Sequence, residues 1–365
     1  MSLALAQARQ AAGIAPPNPA VGCVILAADG RVLGVGHTQR TGGPHAEVMA
    51  LRDAAARGAS VAGATAFVTL EPCSHHGRTG PCCDALVAAG IRKVVASVAD
   101  PNPLVAGRGF DRLRVAGVEV ETGPLAAEAR ELNIGFFSRM IRKTPWVRLK
   151  AAASLDGKTA LENGTSQWIT SEAARTDGHA WRARAGAILT GVGTVIEDDP
   201  RLDVRRVEAT RQPPLVIVDS HLQTPPDARL FEVERKVWIY AAARDEANAA
   251  ALEARGATIA CMADPQGKVD LAAMLRDLAT REVNELHVEA GHKLNGSLMR
   301  EGQVDELLVY LAPKFIGDGL GIASRPHASG PLTALGEALA LEFRSCETVG
   351  PDLRIIARVA GRDRF

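Results

Sequence analysis

The chain has 365 residues, 47% of them apolar and 23% charged, with 42 basic side chains against 42 acidic ones. That length favours two domains of ordinary globular composition, and the even charge, with no polybasic tract or acidic tail, gives no reason to read the chain as a bulk binder of nucleic acid or a membrane surface. No apolar run reaches the roughly 18 residues of a membrane span, the start MSLALAQARQAAG lacks the basic head and apolar core of a signal peptide, and six cysteines, too few for a disulfide scaffold, point to a reducing cytoplasm and to metal or catalytic use.

In chain order, an Ala-rich helix is predicted over residues 2–12, then a hairpin of Val21–Leu26 and Val32–His37 around the turn signal Asp29-Gly30. A helix from Pro44 to Arg57 follows, with proline suited to its first turn. Ala64–Leu70 is predicted as a strand, Cys82–Ala89 as a helix and Lys93–Val98 as a strand. Gly109–Ala116 and Val118–Glu121 read as one more helix and strand. The pattern restarts after Arg142-Lys143-Thr144-Pro145, which places a domain boundary between 1–144 and 145–365. The second run has candidate strands Trp146–Ala152, Ala187–Thr190, Leu215–Asp219, Val237–Tyr240, Thr258–Cys261, Glu285–Glu289 and Glu306–Leu311. It closes with a hairpin, Leu341–Glu347 and Leu353–Val359. Short strands alternating with amphipathic helices make both halves α/β.

The strongest chemical signal is His45-Ala46-Glu47 followed by Pro72-Cys73 and Cys82. One imidazole and two thiolates give zinc three ligands and leave a fourth position for water, the pattern of a catalytic site. Zinc brings the pKa of that water near 7. Glu47, two residues from a ligand, is the candidate proton carrier, and this H-x-E plus P-C constellation is that of zinc deaminases. Cys82 or Cys83 could be the third ligand. Cys82 is preferred, because Pro81-Cys82 repeats the setting of Pro72-Cys73. The cysteines are eight residues apart rather than two, and the insertion carries His75, His76 and Arg78, suited to a polar, anionic substrate.

With those residues in view, Asn18-Pro19-Ala20-Val21-Gly22, the H-A-E triplet and EPCSHHGRTGPC (Glu71–Cys82) resemble the deaminase half of the RibD family of bifunctional riboflavin-biosynthesis enzymes. The resemblance implies a cytidine-deaminase-like three-layer domain that removes the 2-amino group of a diamino-pyrimidinone ribosylamine 5′-phosphate. It also implies that Asn18, His75 and Asn102 hydrogen-bond the base or ribose and that Arg78 meets the phosphate.

The second half has no G-x-G-x-x-G fingerprint. Gly191-Val192-Gly193-Thr194 and Glu289-Ala290-Gly291 are glycine-bearing strand ends, the part of an open α/β sheet where ligands bind. The segments LKAAASLDGKTA, SQWIT, ILTGVGTVIEDDPRL, IVDS and HVEAG resemble the family's reductase half, with the likeness weakest over residues 221–283. That implies a dihydrofolate-reductase-like domain using NADPH to reduce the ring-opened ribose. Ala152, Trp168, Thr194, Asp198, Ser220 and Gly291 would line the cofactor. Lys150, Ser166, Arg182, Leu202, Arg205 and Glu289 would hold the substrate, with Arg182 and Arg205 suited to its phosphate. The family often has Asp where this chain has Gly186, a difference expected to alter a helix cap.

The resulting expectation is a cytoplasmic homo-oligomer, dimer or higher, with one zinc per chain, NADPH, a small-molecule substrate and no nucleic-acid or membrane partner. The alternative is a single-activity zinc nucleotide or nucleobase deaminase with a non-catalytic second domain. A nucleic-acid deaminase predicts C-x-x-C spacing and a basic groove, and neither is present in the sequence.

Overall fold

The Ala-rich start folds as α1 (Ser2–Ala11), which buries the stripe Ala4, Leu5, Ala8 and Ala11 against the strand pair β1 (Gly22–Leu26) and β2 (Val32–His37). The computed structural model describes residues 1–74, 80–103, 105–324 and 332–365. It packs as two units, Met1–Lys143 with Phe365, and Thr144–Arg364.

In the first unit the chain continues through α2 (Ala46–Ala56), β3 (Thr65–Val68), α3 (Cys82–Ala88), β4 (Lys93–Ala96), α4 (Arg108–Val115), β5 (Glu119–Thr122), α5 (Ala126–Leu132) and α6 (Ile134–Arg142). The sheet order is β2-β1-β3-β4-β5. β1 runs antiparallel to β2 and β3, and β3, β4 and β5 are parallel. Helix α2 begins at Ala46 rather than Pro44, because His45 is its extended N-cap residue (φ −77°, ψ 170°). It lies almost in contact with β2: a Cβ on Gly36 would stand 2.4 Å from the Ala50 nitrogen and 2.5 Å from the Ala46 oxygen. Only glycine admits a helix backbone this close. Gly36→Ala should therefore destabilise this unit by about 1–3 kcal/mol, seen as a lower thermal denaturation midpoint. An unchanged midpoint would mean that the helix stands farther from the sheet.

The second unit holds β6 (Trp146–Ser154), β7 (Lys158–Ala160), α7 (Glu172–Arg184), β8 (Ala187–Gly191), α8 (Val192–Asp198), β9 (Leu215–Val218), β10 (Val237–Ala241), α9 (Glu246–Glu253), β11 (Ala257–Cys261), α10 (Leu271–Thr280), β12 (Glu285–Val288), α11 (His292–Arg300), β13 (Glu306–Ala312), β14 (Leu320–Gly321), β15 (Leu341–Val349) and β16 (Asp352–Val359). Its nine-stranded sheet has the order β11-β10-β9-β8-β12-β6-β13-β16-β15. The first seven are parallel, and β16 and β15 add an antiparallel hairpin.

One face of the central strands is apolar, with Val147, Leu149, Leu189, Leu286, Val288, Leu307 and Val309 packed with Met274, Leu275, Leu278 and Leu298. The opposite face carries charge. Arg148, 3% exposed, binds Glu306 at 2.6 Å and Glu285 at 2.7 Å, and Arg358 reaches Glu306 at 2.8 Å. Buried charges persist only when paired in this way. Gly186 is not the cap of α7, which is Ala185. A Cβ on Gly186 would lie 3.0 Å from the Glu285 oxygen, so the residue is a close contact at the start of β12.

Candidate active sites

His45 enters the first site from the N-cap of α2, Cys73 from the loop after β3, and Cys82 as the first residue of α3. Their ligand atoms all lie within 4.8 Å of one another, and no other His, Cys, Asp or Glu joins them among the described residues. The His45 Nδ1 is 3.5 Å from Cys73 Sγ and 3.3 Å from Cys82 Sγ. A tetrahedral zinc with Zn–S of about 2.3 Å and Zn–N of about 2.0 Å requires N···S edges of roughly 3.5 Å, so the donor set fits that ion. Cys83 turns the other way, its thiol donating to the Pro72 oxygen at 3.2 Å and the Gly109 oxygen at 3.4 Å. Burial pushes that thiol up to about 12.

Hydrogen bonding from the Cys82 thiol holds the Cys73 thiol down to about 4 against its burial. The Cys82 amide adds a further bond to Cys73 Sγ at 3.4 Å, as expected of a thiolate at a helix start. Glu47, 3% exposed, lies beside these groups. Burial, then the negative charge of Cys73, raises its carboxyl to about 7 against the opposing charge of His45. A carboxyl poised near neutrality both accepts and returns a proton.

Asn18 and Asn102 are half-buried loop residues. The segment after Asn18 is pinned by Asn133, whose Oδ1 accepts from the Ala20 N–H at 2.7 Å and whose Nδ2 donates to the Ala20 oxygen at 3.0 Å. Asn102 is oriented by Asp100, which accepts its N–H at 2.8 Å. His75 and Arg78 lie outside the described residues.

In the second unit, Lys150 on β6 and Glu289 after β12 share the charged face of the sheet. The Lys150 Nζ is 3.5 Å from Glu289 Oε2, and Arg182 of α7 forks onto both Glu289 oxygens, with Nη2 donating to Oε2 at 2.9 Å. Burial alone would raise the Glu289 carboxyl, but the charges of Arg182 and Lys150 hold it well below the usual range. Arg182 also donates to the Asp203 oxygen at 3.0 Å, so much of its guanidinium is committed within the protein. Arg205 pairs with Asp203 and keeps half its side chain exposed. Leu202 is buried, and Ser166 is half-buried.

The carboxyl ends of β9, β8, β12 and β6 lie on one edge. β8 and β12 are neighbours; β8 runs directly into α8, and β12 leads into α11 across Glu289-Ala290-Gly291. Two helix N-termini side by side suit a dinucleotide's phosphates. Thr194 and Gly291 meet there: a Cβ on Gly291 would sit 3.7 Å from Thr194 Oγ1. Ser220 follows the end of β9, and Ala152 lies on β6 beside Tyr310. Asp198 is on the exposed side of α8. Trp168 is 61% exposed rather than core, with the Arg175 guanidinium 4.5 Å above its ring.

The family model for the cytidine and deoxycytidylate deaminase zinc-binding region matches residues 1–98, and that for the RibD C-terminal domain matches residues 145–355. The riboflavin biosynthesis protein RibD of Escherichia coli K12 is 44% identical, with 97% of this chain and 96% of that protein covered. The RibD of Aquifex aeolicus is 40% identical over the same shares. Among solved structures, Acinetobacter baumannii RibD matches with a TM-score of 0.88 at 37% identity, covering 98% of this chain and 97% of that one. The chain belongs to the RibD family. A further structure from that family, a Thermotoga maritima protein described as a diaminohydroxyphosphoribosylaminopyrimidine deaminase and 5-amino-6-(5-phosphoribosylamino)uracil reductase, matches with a TM-score of 0.84 at 32% identity, covering 99% and 97% of the two chains.

As a RibD family member the chain is a bifunctional riboflavin-biosynthesis enzyme, a zinc deaminase in its first half and an NADPH-dependent reductase in its second. Its substrate is a small pyrimidine. Among the described residues, no helix is long and apolar enough to cross a membrane. The structure adds supporting residues that sequence reasoning passed over: Asn133, Asp203, Glu71 and His287, whose Nε2 lies 3.4 Å from Glu289 Oε1. Glu71 stood in the EPC motif, but its partners are some 30 to 40 positions away, beyond any local pattern.

Proposed function

We propose that the first unit deaminates a diamino-pyrimidinone ribosylamine 5′-phosphate at its 2-amino group and that the second reduces the ribosyl group of the product to ribityl. The observation that carries the first step is three protein donors at zinc-like spacing with a buried, non-ligating carboxyl beside them. Zinc, when bound by His45, Cys73 and Cys82, supplies a Lewis acid that makes water nucleophilic at neutral pH. Glu47 takes one proton of the water and delivers it to the ring nitrogen, then takes the second from the hydroxyl now on the carbon and delivers it to the departing amine, which leaves as ammonia. Asn18 and Asn102 hold the base or ribose, and His75 and Arg78 are assigned to the ribose side and the phosphate.

NADPH, when bound, supplies hydride to C1′ of the ring-opened sugar. Ala152, Trp168, Thr194, Asp198, Ser220 and Gly291 line its place. Lys150 and Glu289 polarise C1′, Arg205 faces the phosphate, and Ser166, Leu202 and Arg182 complete the pocket. The reading includes a cytoplasmic homo-oligomer without a nucleic-acid partner, and six cysteines outside any disulfide accord with a reducing compartment.

The test is incubation of the full chain with the diamino-pyrimidinone phosphate, followed by mass spectrometry. Without NADPH the substrate should exchange an amino group for oxygen and go no further. With NADPH the product should then gain two hydrogens. Deamination that stops there in the presence of NADPH would leave a single-activity deaminase.

A further inference from the structure

Cys73 follows β3 and Asn102 follows β4, and one buried carboxylate joins the two strand ends. Glu71 is 3% exposed. Its Oε2 accepts from the Asp100 N–H at 3.1 Å and the Gly107 N–H at 2.9 Å. Its Oε1 accepts from the Gly109 N–H at 2.9 Å and the Phe110 N–H at 3.3 Å, in the first turn of α4. Its own N–H donates to the Val98 oxygen at 3.0 Å. Asp100, held in this way, accepts the N–H of Asn102. The joint is tight on its far side as well: a Cβ on Gly109 would lie 2.1 Å from the Pro72 oxygen, the residue before the ligand Cys73.

A carboxylate that takes four N–H donors through two oxygens fixes all of their carriers at once. We propose that Glu71 is a positioning residue of the deaminase, setting through Asp100 the place of Asn102 relative to the metal-ligand loop and so the tightness of substrate binding. This rests on the reading of Asn102 as a substrate contact. A glutamine at position 71 keeps the size but turns an NH₂ toward one of the two donor pairs, because an amide has one acceptor oxygen and one donor nitrogen. The loop that carries Asn102 then shifts, while His45, Glu47, Cys73 and Cys82 stay.

The experiment is steady-state ammonia release from the diamino-pyrimidinone phosphate by zinc-loaded full-length protein. It compares wild type, Glu71→Gln, Asn102→Ala and the double variant, with zinc content measured on each. Asn102→Ala should raise KM. Glu71→Gln should raise KM about tenfold with kcat within about threefold and zinc retained, as expected when only uniform binding is lost. In the Asn102→Ala background it should add less than about twofold, the mark of two residues acting as one.

The proposal fails if Asn102→Ala raises KM while Glu71→Gln leaves it unchanged, or if the two effects add in full. It also fails if Glu71→Gln loses zinc and kcat together, which would make Glu71 a prop of the metal loop. An unchanged KM in Asn102→Ala would instead overturn the reading of Asn102, and the proposal with it.

Discussion

Glu47→Gln should lower the rate of ammonia release by roughly 10²–10⁴-fold, the usual loss when a positioned proton carrier is removed. Glu47 is the second residue of α2, two residues along the chain from the candidate ligand His45, and it is buried. Burial and the neighbouring Cys73 charge place its carboxyl near 7, where a single group serves as base and then as acid. Glutamine matches its volume and keeps an oxygen and a donor but carries no exchangeable proton of that strength. The three ligand atoms are untouched, so zinc content should match wild type. Reductase turnover, in the other unit, should also be unchanged. Loss of zinc in this variant would make Glu47 a ligand, and deamination within tenfold of wild type would assign the proton to another group.

Glu289→Gln should lower reductase turnover by roughly 10²-fold or more and leave ammonia release intact. Glu289 is the one anion between Lys150 and the forked guanidinium of Arg182, all three largely buried. Its ionised form is held against burial by those two cations. Without its charge, two cations face each other in a low-dielectric site, a change that costs about 3–5 kcal/mol where a buried pair is broken. The sugar carbon would lose a fixed carboxylate and a lysine held in place by it. NADPH oxidation with the deaminated substrate reads the first effect, and the denaturation midpoint of the variant reads the second. Turnover within a fewfold of wild type would remove Glu289 from the chemistry.

The three donors that meet at one point were legible because each is introduced by its own short signal. His45 stands before a helix, Cys73 follows Pro72, and Cys82 follows Pro81 at the head of α3. Choosing Cys82 over Cys83 rested on that repeated proline, and the fold turns Cys83 onto the Pro72 and Gly109 oxygens. The strands were readable to within a residue or two, because apolar runs mark them whatever they pair with. Helices α5 and α6 left no expectation, and the tie from Asn133 to Ala20 spans 113 positions.

The second unit hid more. On local pattern alone Lys150 could be an edge charge, and only the resemblance marks it as a substrate contact; β6 lies between β12 and β13 in the middle of the sheet. Arg182 and Arg184 could likewise be a solvated helix face by pattern alone, yet they reach Glu289 and Glu285 on strand β12 and just beyond its end. Charges at alternate strand positions look solvent-facing until the order of strands is known. The order is set by long-range pairing and leaves no local trace.

Zinc K-edge absorption on the full chain as isolated tests the metal site most directly. The account predicts one zinc with two sulfur neighbours at about 2.3 Å and two nitrogen or oxygen neighbours at about 2.0 Å, one from His45 and one from solvent. A shell of three sulfurs, a second histidine in place of solvent, or a chain that carries no zinc would contradict it.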